Sequence, residues 1–487
     1  MAIRNTALRG HLFRRLPRWL MLLILAHVLG LVSSFDAMMS TRTAPGAVAW
    51  IVSLNAVPYV AVPAYWVFGR SRFQGYVLSR RDEDSVLSAT LADKLAELQA
   101  RRYSGQDNDR HVAGIEQLAK LPVLAGNKVE LLIDGEDAYG SIFAGIAAAE
   151  KYVLVQSYII KSDAVGRQLQ DALISKAKEG VRVYLLYDEI GSHALSASYL
   201  DELRVAGVNV HHFHSNRGRG NRFQLNFRNH RKIVVADGQS GWLGGFNMGE
   251  EYLHGHPQLG PWRDTHLVVE GPAALALQLV FLEDWHWATE DILDLPWTPS
   301  IHRGHATPVL VLPSGPADRF ETASLMIQQA IHSAHERIWI SSPYFVPDEG
   351  VQSMLKLAAL NGVDVRILIP ERPDNALTFW AAYAFLGPML DAGVKVYRYQ
   401  EGFLHGKAFL VDDSMAAVGT VNLDNRSFRL NFEVTALVLD KPFAATVADM
   451  FVDDFARSRQ MQPEDIRQLT FGHRARSRAA YLFAPLL

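Results

Sequence analysis

The stretch that decides the fold is His230-Arg231-Lys232-Ile233-Val234-Val235-Ala236-Asp237, because it returns as His405-Gly406-Lys407-Ala408-Phe409-Leu410-Val411-Asp412. In both copies Lys follows His by two residues, Asp follows by seven, and an Asn, Asn247 or Asn422, follows by seventeen. The residues between Lys and Asp are apolar in each copy, and a short apolar run reads as a buried strand. Side chains alternate along a strand, so His and Lys of one copy share a face. Asp237-Gly238 reads as the turn that ends the strand, whereas Asp413 stands in place of that glycine in the second copy and leaves its turn type open. One isolated His-x-Lys would mean no more than a solvated strand end. Two copies with outliers at fixed spacing point to one site assembled from both.

The duplication reaches beyond this signature. Glu179-Gly180-Val181-Arg182-Val183 parallels Asn361-Gly362-Val363-Asp364-Val365, and Ala206-Gly207-Val208-Asn209-Val210 parallels Ala392-Gly393-Val394-Lys395-Val396. Each Gly-Val pair reads as a helix end followed by a strand. Residues 152–158 and 338–344 are strand-like, each followed by a helical stretch, and alternating strands and helices predict α/β lobes with largely buried sheets. Gly207 precedes His230 by 23 residues but Gly393 precedes His405 by 12, so the first lobe carries an insertion, which includes Arg217, Gly218, Arg219, Gly220 and Arg222. A basic, glycine-containing loop suits an anionic lipid headgroup or nucleic acid; a mobile solvated loop explains it equally well.

With Gly244-Gly245-Phe246-Asn247 and Gly419-Thr420-Val421-Asn422 completing each signature, the chain resembles the phospholipase D superfamily. More narrowly, residues 226–232, Trp262-Arg263-Asp264-Thr265-His266 and residues 422–428 with Asn431-Phe432-Glu433 resemble the bacterial cardiolipin synthases. The resemblance covers nearly the whole chain. It implies two homologous phospholipase D-like lobes, each a sheet flanked by helices, forming one bilobed α/β catalytic unit behind an N-terminal transmembrane helical hairpin. It also implies a phosphatidyltransferase that joins two phosphatidylglycerol molecules into cardiolipin and releases glycerol, with neither cofactor nor metal.

The residue types suit a two-step displacement. One imidazole attacks phosphorus while the other protonates the departing alkoxide and later deprotonates the incoming hydroxyl. Lys232, Lys407, Asn247 and Asn422 are suited to hold the non-bridging oxygens as the phosphorus becomes five-coordinate. Each histidine needs a carboxylate to set its tautomer, and the resemblance gives this role to acidic residues downstream of the signatures, here Asp264 and Glu433. Asp237 and Asp412 belong to the signature, but seven residues of strand carry them about 23 Å from their histidines at about 3.3 Å per residue, which favours a structural role. The resemblance makes His230 the nucleophile and His405 the acid/base; the two copies alone do not separate them.

The N-terminus points to a bilayer, although the charged start of its first apolar segment also fits a secretory signal peptide that lacks a clear small-x-small cleavage site. Residues 19–35 are almost wholly apolar, and residues 44–69 form a second candidate containing Asn55, Pro58 and Pro63, so spans are expected at about 19–35 and 46–69. Five arginines from Arg4 to Arg18 precede the first, Arg70, Arg72, Arg80 and Arg81 follow the second, and only Arg42 and Asp36 charge the loop between. The positive-inside rule then places both ends and the catalytic lobes on the cytoplasmic side of a bacterial inner membrane. The expected domains are a hairpin over 1–70, a connector over 71–110 with leucines at 87, 91, 95 and 98, a first lobe over 111–297 and a second over 298–487.

With 48 Lys and Arg against 51 Asp and Glu, the net charge is −3 and no general nucleic-acid surface is expected. The chain has no cysteine, which excludes disulfides, thiolate chemistry and a cysteine zinc site. His211, His212 and His214 alternate across a strand and do not form a metal site; Trp285 and Trp287 read as helix packing. Three further readings stand beside the transferase. A hydrolytic phospholipase D releasing phosphatidic acid shares every catalytic residue, a nuclease of the same superfamily lacks a reason for the hairpin, and a non-catalytic lipid-binding scaffold lacks a reason to keep the site.

Overall fold

The computed structural model describes residues 17–69, 73, 86–105, 110–213, 226–299 and 307–487. The basic segment at 217–222 and His214 lie outside them. The described residues fall into two compact units, one comprising 17–69 with 73 and 226, the other the remainder.

In the first unit, Arg18–Ser40 is a 23-residue helix, long and apolar enough to cross a membrane. The second expected span is not one helix. It runs as Ala44–Ala56, Pro58–Ala64 and a π-helical Tyr65–Gly69, interrupted at Val57, where φ is −139° and ψ is 58°. The break follows from Pro58, which donates no hydrogen bond and disfavours helical geometry in the residue before it. The segments close on one another through polar contacts. Tyr65 donates to Asp36 Oδ2 at 2.7 Å, Trp66 Nε1 to Ser33 Oγ at 3.0 Å, and Asn55 Nδ2 to Ser34 Oγ at 2.8 Å. Gly30 allows the approach, since a Cβ there would stand 2.3 Å from the Leu54 carbonyl oxygen.

The second unit is built on one mixed sheet of sixteen strands among the described residues, and its strand order shows the duplication. From Leu124–Ile133 outward the order is Thr265–Glu270, Ser240–Gly244, Ile233–Ala236, Tyr152–Ser157, Arg182–Asp188 and Asn209–Phe213. From Thr307–Ser314 outward it is Asn431–Val438, Met415–Gly419, Ala408–Val411, Arg337–Ser341, Asp364–Pro370 and Lys395–Tyr399, with Ser458–Gln460 added at the edge. The two halves join where Leu124–Ile133 pairs antiparallel with Thr307–Ser314, so the lobes share a single sheet. Helices cover both halves, and Trp285 and Trp287 are buried in the helix Pro272–Thr289.

The repeated Gly-Val pairs end four helices in one way. Gly180, Gly207, Gly362 and Gly393 adopt φ from +86° to +94°. The valine after each donates back to Lys176, Leu203, Ala358 and Met389, the bonding that a left-handed cap residue permits.

Candidate active site

Two short parallel bridges cross between the halves of the sheet. Arg228–Asn229 of the first half pairs with Asn431–Phe432 of the second, and Phe403–Leu404 of the second pairs with Trp262–Arg263 of the first. Each bridge ends at a signature histidine. The His230 N–H donates to the Phe432 carbonyl at 2.9 Å and the His405 N–H to the Arg263 carbonyl at 2.7 Å. The next residue after each accepting carbonyl is a carboxylate, so the backbone pairing delivers the side-chain pairing. Glu433 Oε2 lies 2.8 Å from His230 Nδ1, and Asp264 Oδ2 lies 2.6 Å from His405 Nδ1. The orienting carboxylates are thus exchanged, each half supplying the partner for the histidine of the other.

Both carboxylates are held in place. Glu433 also accepts from Ser427 Oγ at 2.9 Å and Asn431 Nδ2 at 3.1 Å, and Asp264 accepts from the Thr265 N–H at 2.7 Å. Gly245 leaves room for Asp264: a Cβ there would stand 2.0 Å from Oδ1. Lys232 and Lys407 extend along the strand face to donate to the carbonyls of His230, at 2.8 Å, and His405. Asn247 accepts the Ile159 N–H at 3.3 Å and donates to Tyr252 Oη at 3.1 Å. The Asn422 backbone N–H donates to Ser427 Oγ at 3.1 Å, while its side-chain Oδ1 is buried without a hydrogen-bond partner.

Burial decides the charge states. Desolvation lowers both imidazoles to about 4; the neighbouring lysine acts in the same direction, and the facing carboxylate opposes it. Desolvation likewise lowers Lys232 to about 7 and Lys407 to about 8. Burial pushes Asp264 and Glu433 upward, yet the combined pull of the adjacent lysine, the histidine and hydrogen bonds leaves both below the usual carboxylate range. An ionised carboxylate can only accept, so Nδ1 of each histidine carries the proton and Nε2 keeps its lone pair. The resting site therefore presents two neutral imidazoles with free Nε2 atoms and two lysines whose charge is easily strengthened by an entering anion.

Asp237 and Asp412 make their hydrogen bonds outside this cluster. Asp237 accepts from the backbone N–H groups of Glu150, Lys151 and Tyr152, and Asp412 from those of His335, Glu336 and Arg337. Both sit at positive φ, +55° and +52°, each tying its hairpin turn to the start of a neighbouring strand. Gly238 shares the left-handed turn in the first copy, whereas in the second only Asp412 does.

Several contacts of the site carry no signal in the sequence. Tyr158 stands edge-on to His230 with ring centroids 4.9 Å apart, and Tyr252 Oη lies 3.4 Å from His405 Nδ1. Arg263 forms a buried two-pronged pair with Asp454, both bonds 2.9 Å, and Arg231 a buried pair with Asp284 at 2.7 Å. Alternation along the strand sends Arg231 to the face opposite His230 and Lys232. Of the histidine cluster in the first lobe, His211 packs on Trp285 and His212 lies 3.8 Å from Glu189.

A family model described as cardiolipin synthase, PLD-like domain matches residues 142–262 and 327–455, which hold both signatures' histidines and both exchanged bridges in part or whole. Cardiolipin synthase A of Pseudomonas putida (strain W619) is 46% identical over 472 residues, 95% of this chain and 97% of its own. The protein of the same name from Pseudomonas aeruginosa (strain LESB58) is 46% identical over 473 residues, 96% of each chain. Among solved structures, phosphatidylserine synthase of Haemophilus influenzae Rd KW20 shares the fold, with a TM-score of 0.59 at 17% identity, covering 77% of this chain and all of that one. Matched along nearly its whole length at this level of identity, the chain belongs to the cardiolipin synthases, phosphatidyltransferases of the phospholipase D-like fold.

Proposed function

We propose that this chain condenses two phosphatidylglycerol molecules into cardiolipin and glycerol through a phosphatidyl-histidine on His230. His230 Nε2 attacks the phosphorus of the first lipid, and the P–O bond to its glycerol headgroup breaks. The Nε2 proton of His405 goes to the departing alkoxide, releasing glycerol. Neutral His405 then removes the proton from a headgroup hydroxyl of the second lipid, that oxygen attacks phosphorus, and the P–N bond breaks to give cardiolipin and regenerate both histidines. With the imidazoles lowered to about 4, His405 acquires its first proton as the phosphodiester anion enters and raises it.

The observation that carries this reading is the exchange of Glu433 and Asp264 between the halves. It gives both histidines one tautomer, with Nε2 free to act in the two roles. Lys232, Lys407, Asn247 and Asn422 are assigned to the non-bridging oxygens, and Asp237 and Asp412 to holding the strands. The reaction as written needs no metal or cofactor.

The protein is membrane-associated as a member of its family, and we take the three segments from Ala44 to Gly69 as the return limb of a hairpin. The catalytic lobes, 111–297 and 298–487, then lie on the cytoplasmic face of the inner membrane behind the 71–110 connector. Nucleic acid has no part in this reading.

The test is mass spectrometry of lipids after detergent-purified protein meets phosphatidylglycerol alone, without added metal. Cardiolipin with free glycerol is the expected product. Phosphatidic acid with glycerol would make the enzyme a hydrolase, and no turnover with any phospholipid would leave a lipid-binding scaffold.

A further inference from the structure

From Ile466 to Leu487 the chain carries Arg467, Arg474, Arg476, Arg478 and His473 and no acidic residue, a local reversal in a protein of net charge −3. Half of this stretch is the helix Phe471–Tyr481, started by Thr470, whose hydroxyl accepts the His473 N–H at 3.3 Å. Ser477 and Ala480 are its buried positions. At about 100° per residue, Phe471, Arg474, Ala475, Arg478 and Leu482 fall within one arc of about 100° on the outward side. Phe471 is 87% exposed, Leu482 78% and Phe483 51%. Large apolar side chains interleaved with arginines on one face match the interface of a lipid surface rather than open solvent.

A cleft of about 430 Å³ opens beside this helix, lined by Arg467, Arg474 and Arg478 together with Tyr383, Pro388 and Leu469. The three cations are not equivalent. Arg467 shares its charge with Glu464 at 3.2 Å and, more weakly, Asp391 at 4.0 Å. Arg474 donates to the carbonyls of Leu469 at 2.9 Å and Arg467 at 3.0 Å, which orients its guanidinium without neutralising it. Arg478, four residues on, forms no ion pair among the described residues. Like charges at this spacing repel, and an anion between them removes the cost.

We propose that this cleft is a second, non-catalytic site for an anionic phospholipid, whose phosphodiester lies between Arg474 and Arg478 while its acyl chains run beside Phe471, Leu482 and Phe483. No residue of the catalytic cluster takes part. The apolar collar favours a lipid over free phosphate, because an isolated phosphate would leave those side chains in water.

The chain has no cysteine, so Leu482→Cys provides a unique point for an environment-sensitive fluorophore on the full-length protein in lipid nanodiscs. Val205→Cys, at a residue 90% exposed, is the control. The discs compare phosphatidylcholine alone with a mixture containing phosphatidylmethanol, an anionic phosphodiester without an acceptor hydroxyl. The Leu482 label is expected to shift to the blue in anionic discs and to be quenched by lipid-borne quenchers, while the Val205 label does neither. Arg474→Gln and Arg478→Gln are each expected to weaken the response to anionic lipid about fivefold, and Arg476→Gln, whose residue stacks 5.6 Å from Trp380, much less. A Leu482 label that behaves like the control, or a shift equal in both kinds of disc, overturns the site. A response to inorganic phosphate in phosphatidylcholine discs that matches the response to anionic lipid overturns its assignment to lipid.

Discussion

Glu433 holds His230 at 2.8 Å although 203 residues separate them, and Asp264 holds His405 at 2.6 Å across 141. Each histidine therefore depends on the opposite half of the sheet for its tautomer. Neither half contains a complete histidine–carboxylate pair, and the pairs form only when both halves are folded together.

Replacing Glu433 with Gln, or Asp264 with Asn, keeps the shape and removes the charge that selects the Nδ1–H tautomer. Turnover is expected to fall about 10²–10⁴-fold with KM little changed. Steady-state kinetics with phosphatidylglycerol in mixed micelles checks this; a change confined to KM would mean that the carboxylates serve binding alone.

Gly245→Ala is expected to reproduce the Asp264→Asn defect without touching a reacting group, because the new Cβ would crowd Asp264 Oδ1 at 2.0 Å. If both act through His405, the double variant loses no more than the worse single one. Additive losses would show that the glycine serves a separate purpose.

Asp237→Ala and Asp412→Ala each remove a carboxylate that accepts three backbone N–H groups. Charged hydrogen bonds are worth about 1.5–3 kcal/mol apiece, so thermal stability is expected to fall clearly, while protein that remains folded keeps a turnover near that of the parent. Comparing melting temperature with turnover per folded enzyme separates this structural role from a chemical one.

The buried pair Arg263–Asp454 couples the halves at the point where Arg263 also receives His405. Asp454→Asn leaves a buried guanidinium with half its partner and is expected to cost about 3–5 kcal/mol. Arg263→Met with Asp454→Leu is expected to recover part of that loss in a denaturant titration, as apolar replacement removes the stranded charge. A double variant worse than the single would contradict this.

The imidazoles give the unliganded enzyme a pH signature. Their folded pKa of about 4 lies below the ordinary 6.5, so between these values the unfolded chain binds more protons. The stability that neutral burial allows is fully present above 6.5 and is lost as pH falls toward 4, by up to about 1.4 kcal/mol per pH unit for each histidine. Melting temperature measured from pH 7 to pH 4 is expected to drop less steeply for His230→Gln; an unchanged slope would show that His230 is protonated as readily in the fold as out of it.

The sequence by itself determined the duplication, the candidate histidines, lysines and asparagines, and the strands beside them. Local signals suffice for these, since apolar runs, glycine at helix ends and fixed His-Lys-Asn spacing are properties of adjacent residues. The same local logic located the first apolar helix but overran at Val57, where one proline outweighs a continuous hydropathy signal. The tertiary structure decided which carboxylate serves which histidine. Spacing along the chain pairs Asp264 with His230 as readily as with His405, and only the two crossing bridges, Arg228–Asn229 on Asn431–Phe432 and Phe403–Leu404 on Trp262–Arg263, exchange them. Tyr158, Tyr252 and the Arg263–Asp454 pair were illegible for the same reason. Their partners are far away in sequence, and a buried polar contact between distant segments leaves no periodicity in either.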